Sequence, residues 1–282
     1  MPRPVVMWLA FAVLIFNGCD SRQVGTEQAL RGLNRVRDSH LLRAAYINYP
    51  PSLMVDPNTK AVGGIMAEVI AHATQAMGLK LSYVEETSFG AMVDSLENEH
   101  ADIVVSGIWP SSTRALRADF SRAVYFSPVY AYVRTDDKDF DGNLPAINQR
   151  TVRIAAIDGE LSSIVAQTDY PNAQVASLPQ QTDVAQLLLQ VTSRKADVTF
   201  VEPAIADAFI KKNQGSIRAV ANVTPVRMFP NCFLFRKGDT GLRDAINIAL
   251  LELTNSKRLD AIVRAYDPGK DHFILPTVPV SP

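Results

Sequence analysis

The sequence predicts an α/β protein of two lobes, on three observations. Two series of alternating strand-like and helix-like segments flank the polar, turn-rich stretch TDDKDFDGNLP at 135–145. Such alternation implies mostly parallel sheets with helices packed on them. The run ADIVVSGI at 101–108 is apolar without alternation, as a strand covered on both faces requires. A chain of 282 residues, 47% hydrophobic and 20% charged, can build one large core or two modest ones.

Taken in order, LLRAAYI at 41–47 is the first strand. Met66, Val69, Ile70, Ala73 and Met77 fall on one helical face, and Gly78 stops that helix. LKLSYVEE alternates as a strand, a short helix spans 89–98, and ADIVVSGI follows. The second series runs TVRIAAI, ELSSIVAQ, AQVASL, DVAQLLLQVTSR, ADVTFV and AIADAFIKK, strand and helix by turns. The chain then returns to a strand near MFPNCFLFRKGD. A helix with Leu242, Ala245, Ile246, Ala249, Leu250 and Leu253 on one face comes next, and KRLDAIVRAY is the last helix. No short internal repeat or low-complexity tract stands out.

The N-terminus has a different character. Arg3 precedes a 12-residue apolar run at 5–16, closed by Gly18 and Cys19. That run would span only about 18 Å as a helix, short of a bilayer core of roughly 30 Å, so residues 1–18 are expected to be a secretory signal peptide. The end of the run resembles a bacterial lipoprotein lipobox, which implies lipidation of Cys19, although Phe16 and Asn17 depart from that pattern. Ordinary secretion is the alternative. Residues 19–40 are expected to be the lipidated Cys and a polar tether.

Composition excludes several classes. A formal net charge of −1 supplies no basic field for a nucleic-acid backbone. Only Cys19 and Cys232 exist, so no disulfide framework is expected, and Cys232 within an apolar run reads as a small buried hydrophobe. The four histidines show no metal-ligand spacing. Neither a metal nor a cofactor is predicted.

Several segments, in their order and spacing, carry a resemblance: LRAAYINYPPS, VGGIMAEVIAHATQAMGLKLSYVE, FGAMVDSLENEHADIVVSGI, SSTRALRADFS, IDGE, ADVTFVEP and FRKGDTGLRDAINIALLEL with RLDAIVRAY. The chain is similar, over about 41–268, to the family 3 bacterial extracellular solute-binding proteins, the amino-acid-binding components of ABC importers. The resemblance implies a periplasmic-binding-protein-like fold of type II, with a ligand cleft between two lobes closed by hinge motion. It also implies crossings near 133–135 and 226–228, which divides the chain into lobe 1 (41–134 plus 229–282) and lobe 2 (135–228).

The same resemblance nominates site residues. In SGIWPSSTR, at 106–114, the strand end Ser106 and Gly107 leads to Arg114 at the family's spacing for an Arg that grips an α-carboxylate. A planar, always-charged guanidinium suits that task, and Ser111 or Ser112 can cap the short helix carrying it. Trp109 stands where relatives commonly have Ser or Thr. It can donate its N–H, stack on a ligand or merely wall the cleft. Tyr49 and Phe89 occupy positions of aromatic cleft residues in relatives. Glu160 replaces the usual Thr at the turn into the first lobe 2 helix; it is either a helix N-terminal residue turned to solvent or a contact for a ligand's positive end. Glu202 lies near the position of an Asp that pairs with a ligand ammonium in relatives; a hinge or lobe–lobe contact is its other reading.

One guanidinium, one or two carboxylates and several aromatics suit a small zwitterionic or cationic molecule, an amino acid or related amine. The expected partner is an ABC permease or a membrane receptor, the expected state a lipid-anchored extracytoplasmic monomer without catalysis. A sensory domain and a cyclohexadienyl-dehydratase-like enzyme are the competing readings.

Overall fold

A computed structural model describes residues 21–267 and 272–276; the expected signal peptide and Cys19 lie outside the described residues. The elements run α1 (Ser21–Ser39), β1 (Leu41–Tyr46), β2 (Met54–Val55), β3 (Val62–Gly63), α2 (Ile65–Ala76), β4 (Lys80–Glu86), α3 (Met92–Glu97), β5 (Ile103–Ile108), α4 (Ser112–Ala115), β6 (Ala118–Phe120) and β7 (Tyr125–Arg134). They continue with β8 (Arg153–Ile157), α5 (Leu161–Asp169), β9 (Gln174–Leu178), α6 (Ala185–Thr192), β10 (Val198–Val201), α7 (Pro203–Lys212), β11 (Ile217–Ala219), β12 (Arg227–Arg236), α8 (Thr240–Asn255) and α9 (Arg258–Tyr266). Strand order is β4-β1-β5-β12-β7-β10-β8-β9.

The local signals explain most of these elements. The apolar face of α2, with Met66, Val69, Ile70 and Ala73 buried, packs on the sheet, and Gly78 at φ +69° ends the helix as expected. Strand β5 is buried along its whole length. In the first half of the sheet, one core gathers Leu42, Ile70, Ile103, Phe233 and Leu250, and Met92, Leu96, Val104 and Leu234 form another. In the second half, Val165 and Phe200 belong to one core and Leu188 and Phe209 to another. Full burial of each such side chain stabilises by about 1.5–3 kcal/mol.

The two halves are built alike. Strands β4, β1 and β5 are parallel, as are β10, β8 and β9. In the first half Asp102, just before β5, accepts hydrogen bonds from the Arg43 backbone N (2.8 Å) and Nη2 (2.9 Å) on β1. In the second half Asp197, just before β10, accepts from the Arg153 backbone N (2.9 Å) and Nη2 (2.8 Å) on β8. These clamps fix the register of each parallel pair. The correspondence rests on Ala-Asp followed by an apolar strand and on one Arg, too few residues to read as a repeat.

Strands β7 and β12 join the halves. Residues 227–231 of β12 pair antiparallel with 125–129 of β7. Beyond that ladder, β12 continues against β5 and β6, while residues 130–134 of β7 pair with β10 and β11. The first crossing therefore lies upstream of the expected 133–135, because YFSPVYAYVR forms one uninterrupted strand that serves both halves.

The expected tether is also corrected: 21–39 is helical. Val36 is buried with Leu33 packed beside it. The Gly32 N–H donates to Asp239 Oδ1 at 2.8 Å, and a Cβ at Gly32 would lie 2.2 Å from Asp239 Oδ2, so the helix approaches the body as closely as it does only with glycine there. Arg35 pairs with Asp102 and Arg31 with Glu99 at 2.8 Å. A narrow apolar stripe in a polar segment suffices to dock a helix when its flanks carry ion pairs.

Candidate functional site

The carboxyl ends of β1, β5, β8 and β10 supply the site, as expected where ligands bind open α/β sheets. Tyr49 follows β1 in a turn closed by Tyr49 N–H to Leu53 O (2.8 Å) and Leu53 N–H to Tyr49 O (3.0 Å). Past β5, Ser111 caps α4 by accepting from the Arg114 backbone N–H at 3.2 Å, which sets the turn that carries the Arg114 side chain. Arg117, one turn on, is the surface Arg: it pairs with Asp94 and Glu97 on an exposed face. Glu160 and Glu202 occupy equivalent places in the second half, each the residue before a helix, α5 and α7 respectively.

One cavity is lined by Tyr49, Phe89, Gly107, Trp109 and Arg114 from the first half and by Glu160, Gln180, Phe200 and Glu202 from the second. Seven of the eight expected ligand contacts thus converge. Ser106 does not line this cavity: it is fully buried and its Oγ has no hydrogen-bond partner among the described residues. Side chains alternate across a strand, so Gly107 on the cavity side puts Ser106 on the other face.

Two hydrogen bonds cross the cavity. Arg114 Nη2 donates to Glu160 Oε1 at 2.7 Å, and both side chains are only 14% exposed. This corrects the solvent-facing reading of Glu160. Gln180 Nε2 donates to the same oxygen at 3.4 Å. Tyr49 Oη donates to Glu202 Oε2 at 2.7 Å, so the lobe–lobe contact that was the alternative reading of Glu202 is present.

Burial dominates the electrostatics of both carboxyls. It lifts Glu160 above the ordinary carboxylate range against the opposing pull of Arg114 and Gln180. Glu202, 4% exposed, is lifted by burial against hydrogen bonds from Ser127 and Tyr49. The Tyr49 hydroxyl is pushed well up, first by burial and then by Glu202. A carboxyl this deeply desolvated gains most from a cation brought to it.

Aromatic rings wall the cavity. Tyr49 stands edge-on to Phe89 (5.6 Å) and Trp109 (6.5 Å), and Trp109 lies tilted on Phe229 at 5.2 Å. The Trp109 N–H donates to Asn231 Oδ1 at 3.1 Å, while Asn231 Nδ2 donates to Ser127 Oγ at 2.8 Å. The chain Tyr49–Glu202–Ser127–Asn231–Trp109 therefore runs from the cavity wall through the two crossing strands. Gly107 is required beside it: a Cβ there would sit 2.5 Å from Asn231 Oδ1. Sequence reasoning missed Ser127, Gln180 and Asn231. The signal for Asn231 was available, as one amide inside the apolar run MFPNCFLF. Among the described residues no group of three His, Cys, Asp or Glu could hold a metal ion, and no helix is long and apolar enough to cross a membrane.

Comparison with known proteins bears on this arrangement. The chain is 22% identical over 201 residues to the arginine-binding extracellular protein ArtP of Bacillus subtilis, covering 70% of this chain and 76% of that one. Among solved structures, the ancestral amino acid-binding protein AncCDT-1, a precursor of cyclohexadienyl dehydratase, superposes with a TM-score of 0.70 at 22% identity over 83% of this chain and 98% of its own. A binding component of an ABC transporter from Wolinella succinogenes, complexed with lysine, gives 0.69 at 21% identity over 80% and 95%. These likenesses show the bilobed fold. The profile of the bacterial extracellular solute-binding proteins, family 3, matches residues 42–268, and the chain, with its two half-sheets and one cleft between them, belongs to that family.

Proposed function

We propose that the protein captures a small cationic or zwitterionic molecule, an amino acid or related amine, between its lobes and presents it to an ABC importer. Glu202 carries this reading: a carboxylate buried at the end of an apolar strand, facing a cavity walled by Tyr49, Phe89 and Trp109, is a counter-charge for a ligand cation. The relative named for arginine and the binding component solved in complex with lysine support a positive ligand group. A ligand touching both halves stabilises the closed arrangement and shifts a hinge equilibrium through β7 and β12.

Lobe 1 is proposed to comprise 41–129 plus 229–267 and lobe 2 130–228, with the shared ladder of β7 and β12 as the hinge. Removal of 1–18, lipidation at Cys19 and action as an anchored extracytoplasmic monomer belong to the same proposal, since the family is extracellular by description. A membrane receptor is the other partner class that would read closure. Glu202 is also the residue that favours a second reading, as a general acid or base; turnover of prephenate or arogenate by the purified protein separates that from pure binding.

A thermal-shift screen over amino acids, amines and small organic acids tests the main reading. A ligand at 100 times its Kd stabilises by about 2.7 kcal/mol, which in a protein of this size is roughly 5–10 °C. Shifts are expected with ligands that carry a positive group. Stabilisation by organic acids alone would overturn the proposal.

A further inference from the structure

Arg114 is already neutralised within the protein. Its Nη2 lies 2.7 Å from Glu160 Oε1, the two side chains entering from opposite halves and both largely buried. Any ligand carboxylate that sought Arg114 would compete with a carboxylate already held against it from the opposite half. Like charges so placed disfavour one another's ionised forms.

The charge left over is negative. Arg114 and Glu160 cancel, and among the described residues the partners of Glu202 are the hydroxyls of Tyr49 and Ser127, not a cation. Beside it stand Tyr49, Phe89 and Trp109, whose ring faces attract cations and repel anions. The cleft is thus equipped for one positive group, and among the described residues that line it no unpaired cation is offered to a carboxylate.

We infer that Glu160 is a specificity-determining residue that occupies Arg114 as an internal counter-carboxylate, so that the cleft takes organic amines or guanidines lacking an α-carboxylate in preference to the corresponding amino acids. The inference rests on the cation-binding reading given above. It differs from that reading in naming what the ligand lacks.

Calorimetric titration of the folded protein with matched probes decides it: agmatine against arginine, and cadaverine against lysine, on the native protein and on Glu160→Gln. The native protein is expected to bind each amine at least tenfold more tightly than its amino acid. In Glu160→Gln, which frees Arg114, the gap closes to less than threefold or reverses because the amino acid gains. Tighter binding of the amino acids by the native protein overturns the inference and leaves the cation reading intact; this arm needs no variant to fold. An undiminished gap in a folded Glu160→Gln overturns it as well. Failure of all four probes to bind removes the cation reading, and this inference with it.

Discussion

Glu202→Gln is expected to cut the affinity for the best cationic ligand by about 30- to 5,000-fold, the roughly 2–5 kcal/mol typical of truncating one partner of a buried charge pair. The same substitution is expected to raise the melting temperature of the ligand-free protein. Burial lifts the Glu202 carboxyl above its ordinary range despite the hydrogen bonds from Ser127 and Tyr49, so between the unfolded and folded pKa the native state holds the extra proton. Stability from this group is therefore greatest below the unfolded pKa and falls as pH rises through the folded one. Gln removes the ionisation while still accepting the Tyr49 hydroxyl. Thermal unfolding across pH 4 to 8 checks the sign: the variant's advantage is greatest at neutral pH and shrinks on acidification. An advantage that grows on acidification contradicts the account, as does unchanged ligand affinity. Opposite effects on binding and stability are what a site selected for a ligand, and not for the empty fold, should show.

Asp102→Ala carries the largest expected effect on the fold itself. The Asp102 side chain is 5% exposed and serves Arg35, Arg43 and the Arg43 backbone N–H together. Removing one member of a buried pair costs about 3–5 kcal/mol, here roughly 6–20 °C in Tm, because two guanidinium groups and a strand amide lose their acceptor at once. The equivalent Asp197 is 20% exposed, so Asp197→Ala is expected to cost less. The Asp197 carboxyl feels a burial penalty, but the Arg153 hydrogen bonds and charge outweigh it and hold the group below its ordinary value; its contribution is present at neutral pH and lost as pH falls. Urea unfolding of both variants measures the difference. An Asp102→Ala loss below about 1 kcal/mol, the range of exposed pairs, contradicts the clamp.

Much of this architecture was legible in the sequence because periodicity follows burial. The continuous apolar run of β5 and the single apolar face of α2 each report a helix-covered sheet. The site was legible for a different reason: the family resemblance nominated Tyr49, Gly107, Trp109, Arg114, Glu160 and Glu202, and these lie around strand ends, where α/β sheets place ligands. Other features depended on distant partners. The docking of α1 is settled by Asp239 and Asp102, residues far along the chain. The pairing of Arg114 with Glu160 joins residues 46 positions apart, and neither residue's surroundings announce the other. The crossing in β7 was displaced because nothing in YFSPVYAYVR marks where its partners change from β12 to β10.

The central claim is that a ligand cation meets Glu202 in the inter-lobe cleft. A crystal structure grown with saturating agmatine tests it most directly. The account predicts the ligand enclosed by Tyr49, Phe89 and Trp109, with a positive nitrogen within about 3 Å of a Glu202 oxygen and the Arg114–Glu160 pair still formed. Agmatine bound elsewhere, or seated in the cleft with Glu202 untouched, would contradict it.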